Sequence, residues 1–106
     1  MFNHKFQLSE RSYVRVNTII RNFQKIHGDV QVYIFGSRAR GNAREFSDLD
    51  ILVKHAQTMS TSERHQFMTE FEESDLPIKV DIVWDEDLFE PYRQQIEQDM
   101  KLFIVS

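Results

Sequence analysis

From Asp48 to Lys54 the chain alternates along an extended strand. Leu49, Ile51 and Val53 fall on one side of it, Asp48 and Asp50 on the other. A strand patterned this way commits one face to a core and presents two parallel carboxylates on the other. It also needs neighbours to pair with. Val30 to Phe35 is a short β-branched and aromatic run stopped by Gly36, which marks a second strand. Ile78 to Trp84, following Pro77, reads as a third, with Asp81 on the same face as Lys79 and Val83.

Helical periodicity fills the rest. Tyr13, Val16, Ile19, Ile20, Phe23 and Ile26 recur at spacings of three and four, predicting a helix over about Ser9 to His27. Ser9 is placed to cap it and Gly28 to end it in the left-handed conformation. Ser60-Thr61-Ser62-Glu63 reads as a capping box opening a helix that carries Phe67, Met68 and Phe71. A last helix runs from near Pro91 to about Met100, with Tyr92, Ile96, Met100 and Phe103 on its apolar side. Leu102 to Val105 fits either the tail of that helix or a short extended end. The polar, basic stretch Ser37 to Phe46 suits a turn or a short helix. The 106 residues thus form a single α/β domain, residues 1–106, with helices on a short sheet.

Several functions are disfavoured at this level. A formal charge of −4 argues against bulk nucleic-acid binding, which relies on many Lys and Arg contacts. The chain has no cysteine, hence no disulfide framework and no thiolate metal site. Its first residues lack the apolar stretch of a signal peptide, and no apolar run approaches the roughly 20 residues of a membrane span, so the expected location is cytoplasmic. His4, His27, His55 and His65 show no ligand spacing and read as incidental. Trp84 reads as core, and Phe2, Phe6 and Phe89 as surface residues.

What remains is the chemistry around Gly36. Asp48 and Asp50, two apart on a strand, have Cα atoms roughly 6.6–7 Å apart and side chains on one face. Parallel carboxylates repel unless cations or protons lie between them. Mg²⁺ fits, since it takes oxygen ligands, often one or two carboxylates plus substrate phosphates. Asp81 could complete a two-metal site. Gly36-Ser37, at a strand end, lets backbone amides approach a phosphate. Arg38 and Arg40 could pair with phosphate oxygens. The Gly36 to Gly41 spacing superficially suggests a P-loop, but Asn42 and Ala43 stand where that motif requires Lys and Ser or Thr. Each feature alone also suits an ordinary turn, a basic loop or a solvated strand face.

Together, Phe35-Gly36-Ser37, the stretch Arg38 to Ser47, Asp48-Leu49-Asp50 and the distal Asp81 make the chain similar to the minimal nucleotidyltransferase family of the DNA polymerase β superfamily. The resemblance covers about Val30 to Trp84. It implies a nucleotidyltransferase-type domain with a short mixed sheet flanked by helices. It further implies that Gly36 and Ser37 bind the phosphates of the nucleotide, and that Asp48 and Asp50 ligate two Mg²⁺ ions. Asp81 would ligate one of them and help activate the attacking hydroxyl. The implied reaction moves AMP from ATP to an acceptor. Chains this small resemble the antitoxin half of toxin–antitoxin pairs, whose acceptor is a tyrosine of a helical HEPN-type toxin; a hetero-oligomer with that partner is expected. The alternative is a non-catalytic antitoxin that neutralises its partner by occlusion. Antibiotic or tRNA nucleotidyl transfer would need a second domain from another chain.

Overall fold

The computed structural model describes residues 5–106; the readings of Phe2 and His4 lie outside the described residues. Helix α1 (Glu10–His27) begins where the Ser9 hydroxyl accepts the Ser12 N–H at 3.1 Å. Its buried stripe is Tyr13, Val16, Ile19, Ile20 and Phe23. Ile26, expected to continue that stripe, is 66% exposed. At about 100° per residue it has turned to the stripe's flank. His27 takes the central position instead, its ring centroid 4.5 Å from that of Phe23. Gly28 ends the helix with φ of 72° but ψ of −115°, a positive-φ turn other than the left-handed helical one expected.

Strand β1 (Val30–Phe35) leads through Gly36 into the single turn α2 (Ser37–Arg40), and β2 (Leu49–His55) follows. Helix α3 (Thr61–Glu72) opens with the complete capping box: Ser60 Oγ accepts the Glu63 N–H at 3.1 Å, and Glu63 Oε1 accepts the Ser60 N–H at 2.8 Å. Then come β3 (Val80–Trp84), α4 (Glu90–Glu97) and a two-residue strand β4 (Lys101–Leu102). The stretch after α4 is therefore extended. Leu102 pairs with Tyr33 and Phe103 N donates to Val32 O at 2.7 Å, so the Leu-Phe-Ile-Val run starts as an edge strand rather than a helix tail.

The sheet order is β3-β2-β1-β4. β1 is antiparallel to both β2 and β4, whereas β2 and β3 are parallel. Parallel neighbours need a long crossover, and α3 supplies it. Alternation then sorts the two faces. Val32, Ile34, Ile51 and Val53 join Val16, Ile20, Phe23, Phe67 and Phe71 in the core beneath α1 and α3. Phe35 and Leu52 pack with Ile96 beneath α4, flanked by Tyr33 and Val83. Asp50 and Asp81, each two residues from Leu52 and Val83, share that α4 face.

Phe103 lies not with Ile96 but in the α1 core, its ring centroid 5.6 Å from Tyr13 and 5.7 Å from Phe6. Phe6 is accordingly half-buried, while Phe89 is exposed. Trp84 packs edge-on to Phe67 and Phe23, with the Arg64 guanidinium over its ring. Among the described residues no helix is long and apolar enough to cross a membrane.

Candidate active site

The site lies where the C-terminal end of β1 meets the start of β2. Gly36 has φ of 76° and ψ of −155°, a conformation that side-chain-bearing residues rarely adopt. From it the chain turns at once into α2, with Ala39 and Arg40 N–H groups both donating to Gly36 O at 3.1 Å. Gly41, in the left-handed conformation, closes the turn by donating to Ser37 O at 3.0 Å. There is a second reason for glycine at 36. A Cβ built there would collide with Asp50 Oδ2, so the carboxylate rests directly against the turn's backbone.

Asp50 is opposite Phe35 in the β1–β2 pairing and opposite Asp81 in the β2–β3 pairing. This register brings together carboxylates far apart in sequence. Burial raises the Asp50 pKa above its ordinary value, the charges of Asp81 and Asp48 raise it further, and Arg40 and Lys79 oppose them. Asp81 is half-exposed with Oδ1 3.5 Å from Lys79 Nζ. Asp48 is exposed, one residue before β2 begins. Among the described residues, no three His, Cys, Asp or Glu side chains close on a common point suited to a metal ion. The three aspartates are electrostatic neighbours, not a closed cage.

The two arginines have different settings. Arg40 reaches across to Asp99, Nη1 to Oδ2 2.8 Å, and stays half-exposed. Asp99 had no sequence signal, because only tertiary packing of the segment after α4 brings it there. Arg38 does not offer its guanidinium to the site as expected. It is 2% exposed and donates to the carbonyls of Phe6, Gln7, Arg44, Glu45 and Ser47. Every guanidinium nitrogen donates to backbone, so the phosphate-pairing expectation for Arg38 is replaced by a role within the loop. Burial lowers its pKa, and the charge of Asp48 partly restores it. Gln7 was also not expected: its Oε1 accepts the Ala43 N–H at 2.7 Å.

Among the described residues, the histidines stay outside the site. The two ring nitrogens of His55 lie 2.7 Å from Gln57 O and 3.1 Å from His27 O, and His65 is exposed. A cleft of ≈ 390 Å³ beside α2, lined by Phe6, Arg40, Gly41, Lys101 and Ile104 among others, includes none of the three aspartates.

Residues 16–105 match the model of the nucleotidyltransferase domain family. Over 68 residues the chain is 37% identical to a Haemophilus influenzae protein named as a probable protein adenylyltransferase, MntA. That match covers 64% of this chain and only 57% of the relative's length. A Methanocaldococcus jannaschii protein provisionally named a protein adenylyltransferase is 32% identical over 91 residues, covering 80% of this chain and 91% of its own. The fold is also similar to a chain in the solved complex of a tri-AMPylated Shewanella oneidensis HEPN toxin with MNT antitoxin. There the TM-score is 0.64 at 23% identity, covering 90% of this chain and 73% of that one.

Proposed function

This chain belongs to the nucleotidyltransferase domain family, and from that premise we propose that it transfers AMP from ATP to a hydroxyl of a protein acceptor, a tyrosine on a helical HEPN-type toxin, and so acts as an antitoxin. The observation that carries the reading is the meeting of Gly36, Asp50 and Asp81. A backbone turn fit for a phosphate tail lies against one carboxylate, which faces a second across paired strands. The names of the two adenylyltransferase relatives and the tri-AMPylated toxin of the structural neighbour support protein as acceptor.

The donor set fits a divalent cation. All its atoms are carboxylate oxygens, and positive charge between them offsets the burial and the like charges that raise the Asp50 pKa. Asp48, Asp50 and Asp81 would hold Mg²⁺, which when bound neutralises the phosphates and stabilises the attacking and leaving oxygens. Gly36 and Ser37 seat the phosphate tail at the strand end. Arg40, held by Asp99, adds positive charge beside it. Asp81 accepts the proton of the acceptor hydroxyl as its oxygen bonds to the α-phosphorus. The bond from that phosphorus to the bridging oxygen breaks, and pyrophosphate leaves. The enzyme and its partner would meet in the cytoplasm.

The test mixes the protein with Mg²⁺-ATP and a candidate helical HEPN-type partner, and weighs that partner by mass spectrometry. The expected result is added AMP, falling at least about 100-fold in Asp48→Asn/Asp50→Asn, as for loss of a charged transition-state contact. Modification that survives the double substitution would sink the carboxylate mechanism. Neutralisation of the partner with no added mass would favour occlusion instead.

A further inference from the structure

The Arg38 guanidinium makes six hydrogen bonds to five backbone carbonyls and is almost wholly out of solvent. Its acceptors belong to two separate segments. Nε and Nη2 reach Ser47 O at 3.1 and 2.9 Å, and Nη2 also reaches Glu45 O at 3.1 Å and Arg44 O at 3.4 Å. Nη1 reaches Gln7 O at 2.8 Å and Phe6 O at 3.3 Å. Phe6 and Gln7 have φ of 57° and 54°, left-handed values that non-glycine residues adopt only when their surroundings hold them. The Gln7 amide then binds Ala43 N, tying the two segments a second time. Ser47 Oγ accepts the Arg44 N–H at 2.8 Å, closing the loop on itself. The residue after Ser47 is Asp48.

We propose that Arg38 is a positioning residue for the transfer site: it clamps the 43–47 loop, so that Asp48 emerges beside Asp50, and locks that loop to the Lys5–Gln7 segment. The proposal rests on the AMP-transfer reading for its catalytic consequence, but the clamp itself can be measured without catalysis. Lysine keeps the charge yet has three donors on a point-like head, not five in a planar fork. Arg38→Lys therefore cannot hold both segments together.

In Arg38→Lys, amide hydrogen exchange at Ala43, Arg44 and Ser47 should quicken at least about tenfold, with Ile34 and Ile51 unchanged. The Mn²⁺ concentration needed to half-saturate the protein with ATP, followed by electron paramagnetic resonance, should rise about tenfold, as on removal of a ligand's supporting contact. In AMP transfer, kcat should fall about tenfold while KM for ATP moves far less. Wild-type exchange in the loop, or equal quickening throughout β1 and β2, overturns the proposal. Should Arg38→Lys not fold, exposed Gln7→Ala carries the test: quicker exchange at Ala43 and weaker Mn²⁺ binding are expected, and unchanged values refute the clamp. A wild-type protein that transfers no AMP sinks the functional reading instead, and the exchange pattern still decides the clamp.

Discussion

At Asp50, burial and the charges of Asp81 and Asp48 favour the protonated acid, with Arg40 and Lys79 opposing. A carboxyl whose folded pKa lies above its unfolded one stabilises the fold fully below the unfolded value. That contribution is lost as pH rises through the folded value. At neutral pH without divalent cations, ionising Asp50 works against the fold, and Asp50→Asn should raise Tm. The gain should shrink as pH falls into the ordinary carboxylate range, where wild-type Asp50 is itself neutral. Mg²⁺ should raise the wild-type Tm and leave that of Asp50→Asn nearly unmoved, because a ligand stabilises only the state that binds it. Thermal melts across acid and neutral pH, with and without Mg²⁺, check this; a lower neutral-pH Tm for the variant would refute it. Arg38 teaches the opposite lesson about single residues. Its place in a basic stretch beside a glycine turn suggested a phosphate partner, and only the carbonyls of two separate segments, invisible in composition, explain where its donors go.

At the scale of elements, local signals carried far. Ser9 and Ser60 are caps where their spacing placed them, and β1 runs over the residues its β-branched pattern marked. The capping box is separable from the chemistry, since α3 contributes no aspartate to the site. Ser60→Ala should cost about 1 kcal/mol and lower Tm by roughly 4–8 °C, with AMP transfer unchanged below the transition. Calorimetry and the transfer assay test both halves, and a large loss of activity at low temperature would show the cap to matter for function. The end of the chain was less legible. Leu102 to Val105 is too short for a helical or strand period to declare itself, and its start is fixed by the pairing of Leu102 with Tyr33 and the Phe103 N–H on Val32 O.

For the whole molecule, the nearness of Asp50 to Asp81 depends on a parallel pairing between strands separated by α3. No local pattern encodes that register; the family resemblance implied only that Asp81 joins the site, and tertiary structure alone displays the pairing. Closure at the other edge of the sheet depends on Phe103, 2% exposed and stacked with Tyr13 and Phe6. It joins the last strand, α1 and the segment that Arg38 holds. Phe103→Ala should cost about 3–5 kcal/mol, a large share of the roughly 5–15 kcal/mol of a typical domain. Urea unfolding should show a much lower midpoint. A midpoint near wild type would mean that this corner contributes little to cohesion.

The contact between Gly36 and the Asp50 carboxylate also bears on how such a chain can change over generations. A methyl group at 36 and an acid at 50 compete for the same space. Position 50 can lose its acid while Gly36 stays, but a side chain at 36 meets the Asp50 carboxylate, so change at 36 should follow change at 50. Among descendants of this sequence, a side chain at 36 should accompany a shortened or absent acid at 50, and with it loss of the paired carboxylates that the proposed transfer needs.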